Sequence, residues 1–149
     1  MLTPAFLLML LAACGNEGVV ADDVRPTPPD NIIQMRTGDW STINPAVGRT
    51  PADGGFLTKG LIVTDLHAMV GEDAIEFRQR LLEKGGPLTR DGNLLFTASQ
   101  PGADAIYLII DPQENALEAA WKVDGQWVTW NTPGTQMRRP PSVVALRGD

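Results

Sequence analysis

Cysteine and histidine are nearly absent from this chain of 149 residues, which contains one of each. A single cysteine excludes an internal disulfide, and a single histidine leaves too few ligands for a typical zinc site. Basic residues are scarce as well, since 12 Lys and Arg face 18 Asp and Glu for a formal net charge of −6. Because nucleic-acid-binding surfaces concentrate positive charge, we expect no nucleic-acid partner.

Catalytic motifs are also missing from the sequence, which has no Walker loop, no dinucleotide-binding fingerprint and no Gly-x-Ser-x-Gly element. His67 follows Asp65 by two residues, a spacing that keeps two side chains apart on a helix. Asp104, Asp111 and Glu118 show no spacing that singles out the carboxyl pair of a glycosidase. We therefore predict that the protein is not an enzyme and that it uses no cofactor and no metal.

A short apolar run at residues 5–11 precedes two alanines and the single cysteine, Cys14. The run is far shorter than the roughly 20 residues of a bilayer-spanning helix, and its length and small-residue ending are typical of a secretory signal peptide. The sequence Leu11-Ala12-Ala13-Cys14 resembles the lipobox of bacterial lipoproteins. The resemblance implies a signal peptide over residues 1–13 and a lipidated Cys14 as the first residue of the mature chain.

Such an anchor places the protein in the bacterial cell envelope, with membrane lipid as a partner through Cys14. In enterobacterial lipoproteins an aspartate after the cysteine favours the inner membrane, so Gly15 favours the periplasmic face of the outer membrane. Residues 1–13 contain no charged side chain, whereas signal peptides normally begin with Lys or Arg. We therefore expect the true start of the chain to lie upstream of Met1.

Three segments follow the predicted signal peptide. Residues 14–30 contain four acids, one arginine and three prolines, a composition that predicts an acidic, proline-rich tether rather than a folded unit. Residues 31–135 hold most of the apolar periodicity, and we expect a small folded domain there. Residues 136–149 contain two arginines, Arg138 and Arg139, directly before two prolines, and we expect a flexible basic tail.

The periodicity of the domain predicts an α+β fold. An apolar stripe indicates one main helix over residues 65–84, within which Gly71 offers a point of division. After Pro87 the pattern has a period of two and predicts strands at 93–99, 105–111, 116–123 and 126–131. Because the connections are short, we expect a four-stranded antiparallel meander with the helix packed on one face.

Three tryptophans, Trp121, Trp127 and Trp130, fall on the last two predicted strands. Trp127 and Trp130 are three residues apart, so they point to opposite faces of a strand. Because tryptophan is enriched at binding hot spots, we consider all three as candidate binding residues. The alternative is that residues 31–60, with Trp40, cover them. The main functional prediction is a non-catalytic binding or scaffold module that contacts another envelope protein.

The order of helix and strands, with Trp-Asn-Thr-Pro at residues 130–133, is similar to the layout of periplasmic inhibitors of vertebrate lysozyme. Those inhibitors present a cysteine-bounded loop whose histidine enters the lysozyme cleft. The matching residues 99–104, Ser-Gln-Pro-Gly-Ala-Asp, have neither the cysteines nor the histidine. The resemblance implies an alternative function, inhibition of a cationic hydrolase such as lysozyme, in which Asp104 offers a carboxylate to the basic partner.

Overall fold

A computed structural model describes residues 38–149 of the chain. The predicted signal peptide, Cys14 and the tether lie outside the described residues, as does the beginning of the predicted domain. Within the described range, none of the helices has both the length and the apolar character that crossing a bilayer requires. The described residues make up the C-terminal three quarters of the chain.

Short helical elements precede the sheet: a 3-10 helix at Trp40–Ala46, α1 at Pro51–Gly54, α2 at Leu61–Val70 and α3 at Ala74–Lys84. The helix predicted over residues 65–84 is divided at Gly71, which begins a 3-10 turn, Gly71–Asp73. Gly71 has a φ of 74° and donates its N–H to the His67 carbonyl, which ends α2. That left-handed conformation favours glycine, so the division follows directly from the sequence.

Five strands follow in an antiparallel meander, in the spatial order in which they occur along the chain. They are β1 Thr89–Asp91, β2 Leu94–Ala98, β3 Ile106–Asp111, β4 Ala116–Val123 and β5 Gln126–Asn131. The predicted α+β class and antiparallel sheet are confirmed, whereas the prediction of four strands and one main helix is wrong. The additional strand, β1, has only three residues and no apolar alternation, and Gly92, with a φ of 62°, allows the tight turn that pairs it with β2.

Both faces of the sheet are covered. On one face the helices that precede the sheet bury a large apolar core, which includes Leu66, Phe77, Leu81, Leu108 and Leu117. On the other face a smaller core of Leu94, Tyr107, Ile109 and Ala120 packs against Val143. Because β3 lies in the centre of the sheet, its residues from Ile106 to Ile110 are all buried. This explains the unbroken apolar run of that strand.

The residues 136–149 do not form the predicted flexible tail. They include a helix, α4, at Pro141–Arg147, whose Val143 is completely buried and whose Leu146 packs against the smaller core. Proline suits the first position of a helix because the N–H there has no intrahelical partner. A helix of seven residues is too short to show a clear period, which is why the sequence pattern missed it. The folded domain therefore extends beyond the predicted boundary at residue 135.

Candidate functional site on the β2–β3 loop

The connection between β2 and β3, residues 99–104, is an exposed loop with a fixed base. Every residue from 100 to 104 is exposed. At the base, Ser99 donates its N–H to the Ile106 carbonyl at 2.9 Å, and its Oγ accepts the Ile106 N–H at 3.0 Å. These two bonds hold the ends of the loop together and leave its tip open to solvent.

Asp104, the carboxylate predicted to meet a basic partner, is paired within the molecule. Its Oδ2 forms an ion pair with Nζ of Lys84, the last residue of α3. The two side chains are 57% and 38% exposed, so solvent screens the pair, which contributes at most about 1 kcal/mol. The pair nevertheless gives the second end of the loop a contact with the helical layer.

A shallow cleft of about 370 Å³ lies beside this ion pair. Three carboxylates, two cations and one amide line it: Glu76, Gln79, Arg80, Glu83, Lys84 and Asp104. Both cations are engaged, because Lys84 pairs with Asp104, and Arg80 donates to Glu76 at 2.8 Å and stacks over the Trp121 ring at 4.5 Å. Glu83 has no ion-pair partner among residues 38–149. The surface next to the loop is therefore acidic overall.

Trp121 and Trp130 lie on the face of the sheet that α3 covers. Their ring centroids are 5.8 Å apart, and both rings contact Phe77 of α3, at 5.8 Å and 6.0 Å. Trp121 is only 5% exposed, whereas Trp130 is half-buried at the margin of the core. These aromatic contacts belong to the hydrophobic core of the domain.

Trp127 lies on the opposite face and is also half-buried. Its ring packs against Tyr107 at 5.5 Å, and its Nε1–H donates to the Arg147 carbonyl of α4 at 3.4 Å. The Arg147 guanidinium and the Lys122 ammonium lie 5.2 Å and 5.7 Å from the ring. Trp127 therefore joins α4 to the sheet.

The predicted binding residues are not gathered into one site. Trp121 and Trp130 share one face of the sheet, Trp127 contacts α4 on the other face, and Asp104 stands on the β2–β3 loop. Cys14, the predicted lipidation site, lies outside the described residues. The cleft beside Asp104 was not predicted, although the spacing of Glu76, Arg80 and Glu83 along a helix is a signal that places them on one face.

A buried polar network, also not predicted, fastens the C-terminal segment to the sheet. Glu118 is 2% exposed and accepts hydrogen bonds from the Tyr107 hydroxyl and from Nε of Arg139, both at 2.6 Å. Arg147 donates to the Tyr107 oxygen at 2.9 Å and pairs with Asp149 at 2.7 Å. Burial, aided by the bond to Glu118, raises the pKa of Tyr107 from 10.0 to about 12.

Asp65 and His67, which lie two residues apart on α2, make no hydrogen bond to each other in the described part of the chain. Nε2 of His67 is buried and has no hydrogen-bond partner there. Burial raises the pKa of Asp65 to about 6. Among residues 38–149, no three His, Cys, Asp or Glu side chains are grouped so that they can hold a metal ion.

Comparison with protein families gives one match, which covers most of the described domain. A family model described as "Inhibitor of vertebrate lysozyme (Ivy)" matches residues 62–149, more than half of the chain. The match includes α3, the whole sheet, the β2–β3 loop and α4. Comparison with curated proteins and with solved structures gave no match.

The family match corrects the main functional prediction. A scaffold for envelope proteins was expected, with lysozyme inhibition as the alternative, and the match favours the alternative. The family is one of inhibitors rather than enzymes, has a protein as its partner and is periplasmic or envelope-associated. The chain belongs to the family of inhibitors of vertebrate lysozyme.

Proposed function

We propose that this protein inhibits a lysozyme-type glycosidase by placing the β2–β3 loop in the enzyme's substrate cleft. The observation that carries the proposal is an exposed loop on a fixed base, within the region that the family model matches. Ser99 and Lys84 hold its two ends. A loop that is ordered before binding loses little conformational entropy on association, which favours insertion into a cleft.

The base of the loop is closed without a disulfide. The inhibitors that this chain resembles bound the corresponding loop with cysteines. Here the Oγ of Ser99 accepts the Ile106 N–H, and Asp104 pairs with Lys84. We infer that these non-covalent contacts maintain the loop and that its closure does not depend on the redox state of the compartment.

The loop tip offers neutral hydrogen-bond donors. Lysozyme cleaves its glycan with a pair of carboxyl groups, so a cleft-blocking loop meets acceptors there. The tip has no histidine, and its donors are the side-chain amide of Gln100 and backbone N–H groups such as that of Gly102. Hydrogen bonds from such donors to a carboxylate are charge-assisted. We infer that the loop blocks the cleft by its shape and by these bonds.

The charge of the molecule supports the same partner. The protein has a formal net charge of −6, and the acidic cleft contains Glu83 beside the loop and Asp104 at the end of the loop. A field of this sign attracts a cationic hydrolase and raises its association rate more than its intrinsic affinity. We infer that the acidic residues near the loop attract the cationic enzyme, whereas the neutral donors at the loop tip contact its carboxylates.

The proposal is tested by titrating the protein into a lysozyme assay, together with two variants that add the same charge. Gly102→Glu places a carboxylate at the loop tip, where its Cβ meets only Asp104 at an ordinary 3.6 Å. Ala68→Glu adds the same charge on an exposed position of α2. We expect Gly102→Glu to weaken inhibition at least about tenfold, or about 1.4 kcal/mol, and Ala68→Glu to leave it unchanged.

Both variants make the protein more acidic, so general attraction to a cationic enzyme strengthens equally in both. A selective loss with Gly102→Glu therefore identifies the loop tip as the group that meets the enzyme's carboxylates. Absence of any inhibition at micromolar excess of the unmodified protein would refute the proposed function. Equal inhibition by both variants would refute the assignment of the loop.

We also propose that Cys14 anchors the mature chain to the periplasmic face of the outer membrane and that residues 14–30 form the tether. The lipobox-like sequence ending at Cys14 supports this proposal. Two or more acyl chains are needed for stable anchoring, at about 0.8 kcal/mol per buried methylene. Mass spectrometry of the mature N-terminus from native membranes tests it: we expect a lipid mass on Cys14 that Cys14→Ser abolishes, and an unmodified chain would contradict it.

A further inference from the structure

The β4–β5 hairpin extends from the same end of the sheet as the β2–β3 loop. β3 begins at Ile106, which pairs with Trp121, and Lys122 then donates its N–H to the Ala105 carbonyl at 2.8 Å. The hairpin continues past this point to the turn at 124–125, where φ is 50° and 78°. A two-residue turn with both φ values positive matches the twist of the strands. The loop and the hairpin are therefore two neighbouring projections at one end of the domain.

Two exposed valines lie on the face of the hairpin that α3 packs against. Strand alternation places Val123 on the same face as Trp121, and Val128 pairs directly with Trp121. Val123 and Val128 are thus diagonal neighbours, about 7–8 Å apart. They are 41% and 39% exposed, whereas Trp121 is covered. Together with the half-buried Trp130, two residues further along β5, they form an apolar strip, which we call the hairpin patch (Val123, Val128 and Trp130).

Arg80 joins the hairpin patch to the acidic cleft. Its guanidinium lies 4.5 Å from the centroid of the Trp121 ring, and Trp121 is a neighbour of both valines. The same arginine lines the cleft that extends to Lys84 and to Asp104 at the end of the loop. The β2–β3 loop, the acidic cleft and the hairpin patch therefore form one continuous surface, which is acidic beside the loop and apolar at the hairpin.

The exposed tip of the loop is too small to form a stable complex by itself. Stable protein–protein interfaces bury about 800 Å² on each partner and involve about 20 residues or more a side. At the loop, only residues 100–104 are exposed. An inhibitor that inserts this loop into a cleft therefore also contacts the rim of the cleft with the surface around the loop. The hairpin patch supplies apolar area on that surface.

We propose that the hairpin patch is a second contact surface for the glycosidase and packs on apolar side chains at the rim of the substrate cleft. The inference rests on the proposed function, from which it takes its partner. Apolar contacts act only at short range, so the patch slows dissociation, whereas the net charge of the molecule accelerates association. The patch also contributes specificity, because a lysozyme with a charged side chain at this part of its rim would have to desolvate that charge against valine.

The test is biolayer interferometry with immobilised lysozyme and two lysine variants of the protein. Val123→Lys places a charge in the hairpin patch, and Val144→Lys places one on α4, at a valine that is 36% exposed on the opposite face of the sheet. We expect Val123→Lys to raise the dissociation rate at least about tenfold and Val144→Lys to leave it unchanged. Both variants change the net charge by the same amount, so long-range attraction to the enzyme changes equally. Thermal unfolding of each variant verifies that the fold is retained.

Hydrogen exchange of the unmodified protein gives a test that needs no mutation. The turn residues Asp124 and Gly125 are exposed, and we expect their amides to exchange more slowly in the lysozyme complex than in the free protein. If the unmodified protein binds lysozyme but the two variants dissociate at equal rates, or the turn amides exchange equally in both states, the second contact is overturned and the proposed function stands. Absence of binding by the unmodified protein would overturn both.

Discussion

Glu118 illustrates how a single charged residue is retained inside this small domain. Its carboxylate is almost fully buried, yet the Tyr107 hydroxyl and the Arg139 guanidinium each donate to it at 2.6 Å. A buried charge is tolerated when its hydrogen-bonding capacity is met, and breaking one partner of such a pair is more costly than the pair is stabilising. The residue therefore fixes where the C-terminal segment lies on the sheet.

We predict that Glu118→Ala lowers the free energy of unfolding by about 3 kcal/mol, because it leaves the buried Tyr107 hydroxyl without its acceptor and leaves Arg139 with only its longer ion pair to Asp149. Glu114→Ala, at an exposed turn position, should change stability by no more than about 0.5 kcal/mol. Urea unfolding followed by circular dichroism measures both. Equal effects of the two substitutions would show that the buried network adds nothing to stability.

The raised pKa of Asp65 predicts that folding stability falls as the pH rises, whereas most carboxylates make stability rise with pH. Burial raises its pKa from 3.8 to about 6, so the folded state binds the proton more tightly than the unfolded state. The stability that this proton contributes is fully present below about pH 4 and is lost as the pH rises through 6. Asp65→Asn should therefore be more stable than the native protein at pH 7 and equal to it near pH 4.

Thermal unfolding across pH 4 to 8 tests this prediction. Asp124→Asn is the control, since Asp124 is exposed and its φ of 50° suits asparagine as well as aspartate. The control should show the pH profile of the native protein. If Asp65→Asn shows the same dependence of stability on pH as the native protein, the role assigned to Asp65 is contradicted.

At the scale of elements, α4 is the part of the fold that holds the second face of the sheet. We predict that Val143→Ala, which removes a completely buried side chain, destabilises the domain by about 2 kcal/mol. Val144→Ala is its matched control, because Val144 is the next residue of the same helix and is 36% exposed. Loosening of α4 also changes the environment of Trp127, so tryptophan fluorescence should report it before global unfolding. Identical unfolding midpoints for the two variants would contradict this account.

The elements that the sequence predicted are those with long periodic patterns. β4 and β5 were bounded correctly because their apolar and polar residues alternate around the Asp124-Gly125 turn, and Gly71 marked the division of the helix. β1 and α4 have three and seven residues, too few to establish a period, and the C-terminal segment is held by contacts distant in sequence. Arg138, for example, reaches Asp91 across 47 positions.

The candidate site was predictable only in part for the same reason. Residues 99–104 were singled out by the resemblance in layout to periplasmic inhibitors of lysozyme, and the structure shows that residues 100–104 are exposed. The pairing of Asp104 with Lys84 depends on how α3 packs near the sheet, which no local pattern encodes. Likewise, the burial of Trp121 follows from its contact with Phe77, so an aromatic that the sequence offered for binding belongs to the core.

At the scale of the whole molecule, net charge determines how the proposed complex should respond to salt. The protein has a formal charge of −6, and attraction between exposed charges falls over a Debye length of about 8 Å at 0.15 M salt. We predict that the association rate with a cationic lysozyme falls at least tenfold between 0.02 M and 0.5 M salt, while the dissociation rate changes little. Surface plasmon resonance at several salt concentrations measures both rates. A salt dependence of the dissociation rate alone, with an unchanged association rate, would contradict this prediction.

The central claim is that the loop of residues 99–104 occupies the substrate cleft of a lysozyme. Calorimetric titration of the protein into lysozyme, with and without a saturating glycan oligosaccharide in the cleft, tests it most directly. We predict binding of one chain per lysozyme in the absence of the oligosaccharide and loss of that binding in its presence. No binding at micromolar concentrations, or binding that the oligosaccharide leaves unchanged, would contradict the claim.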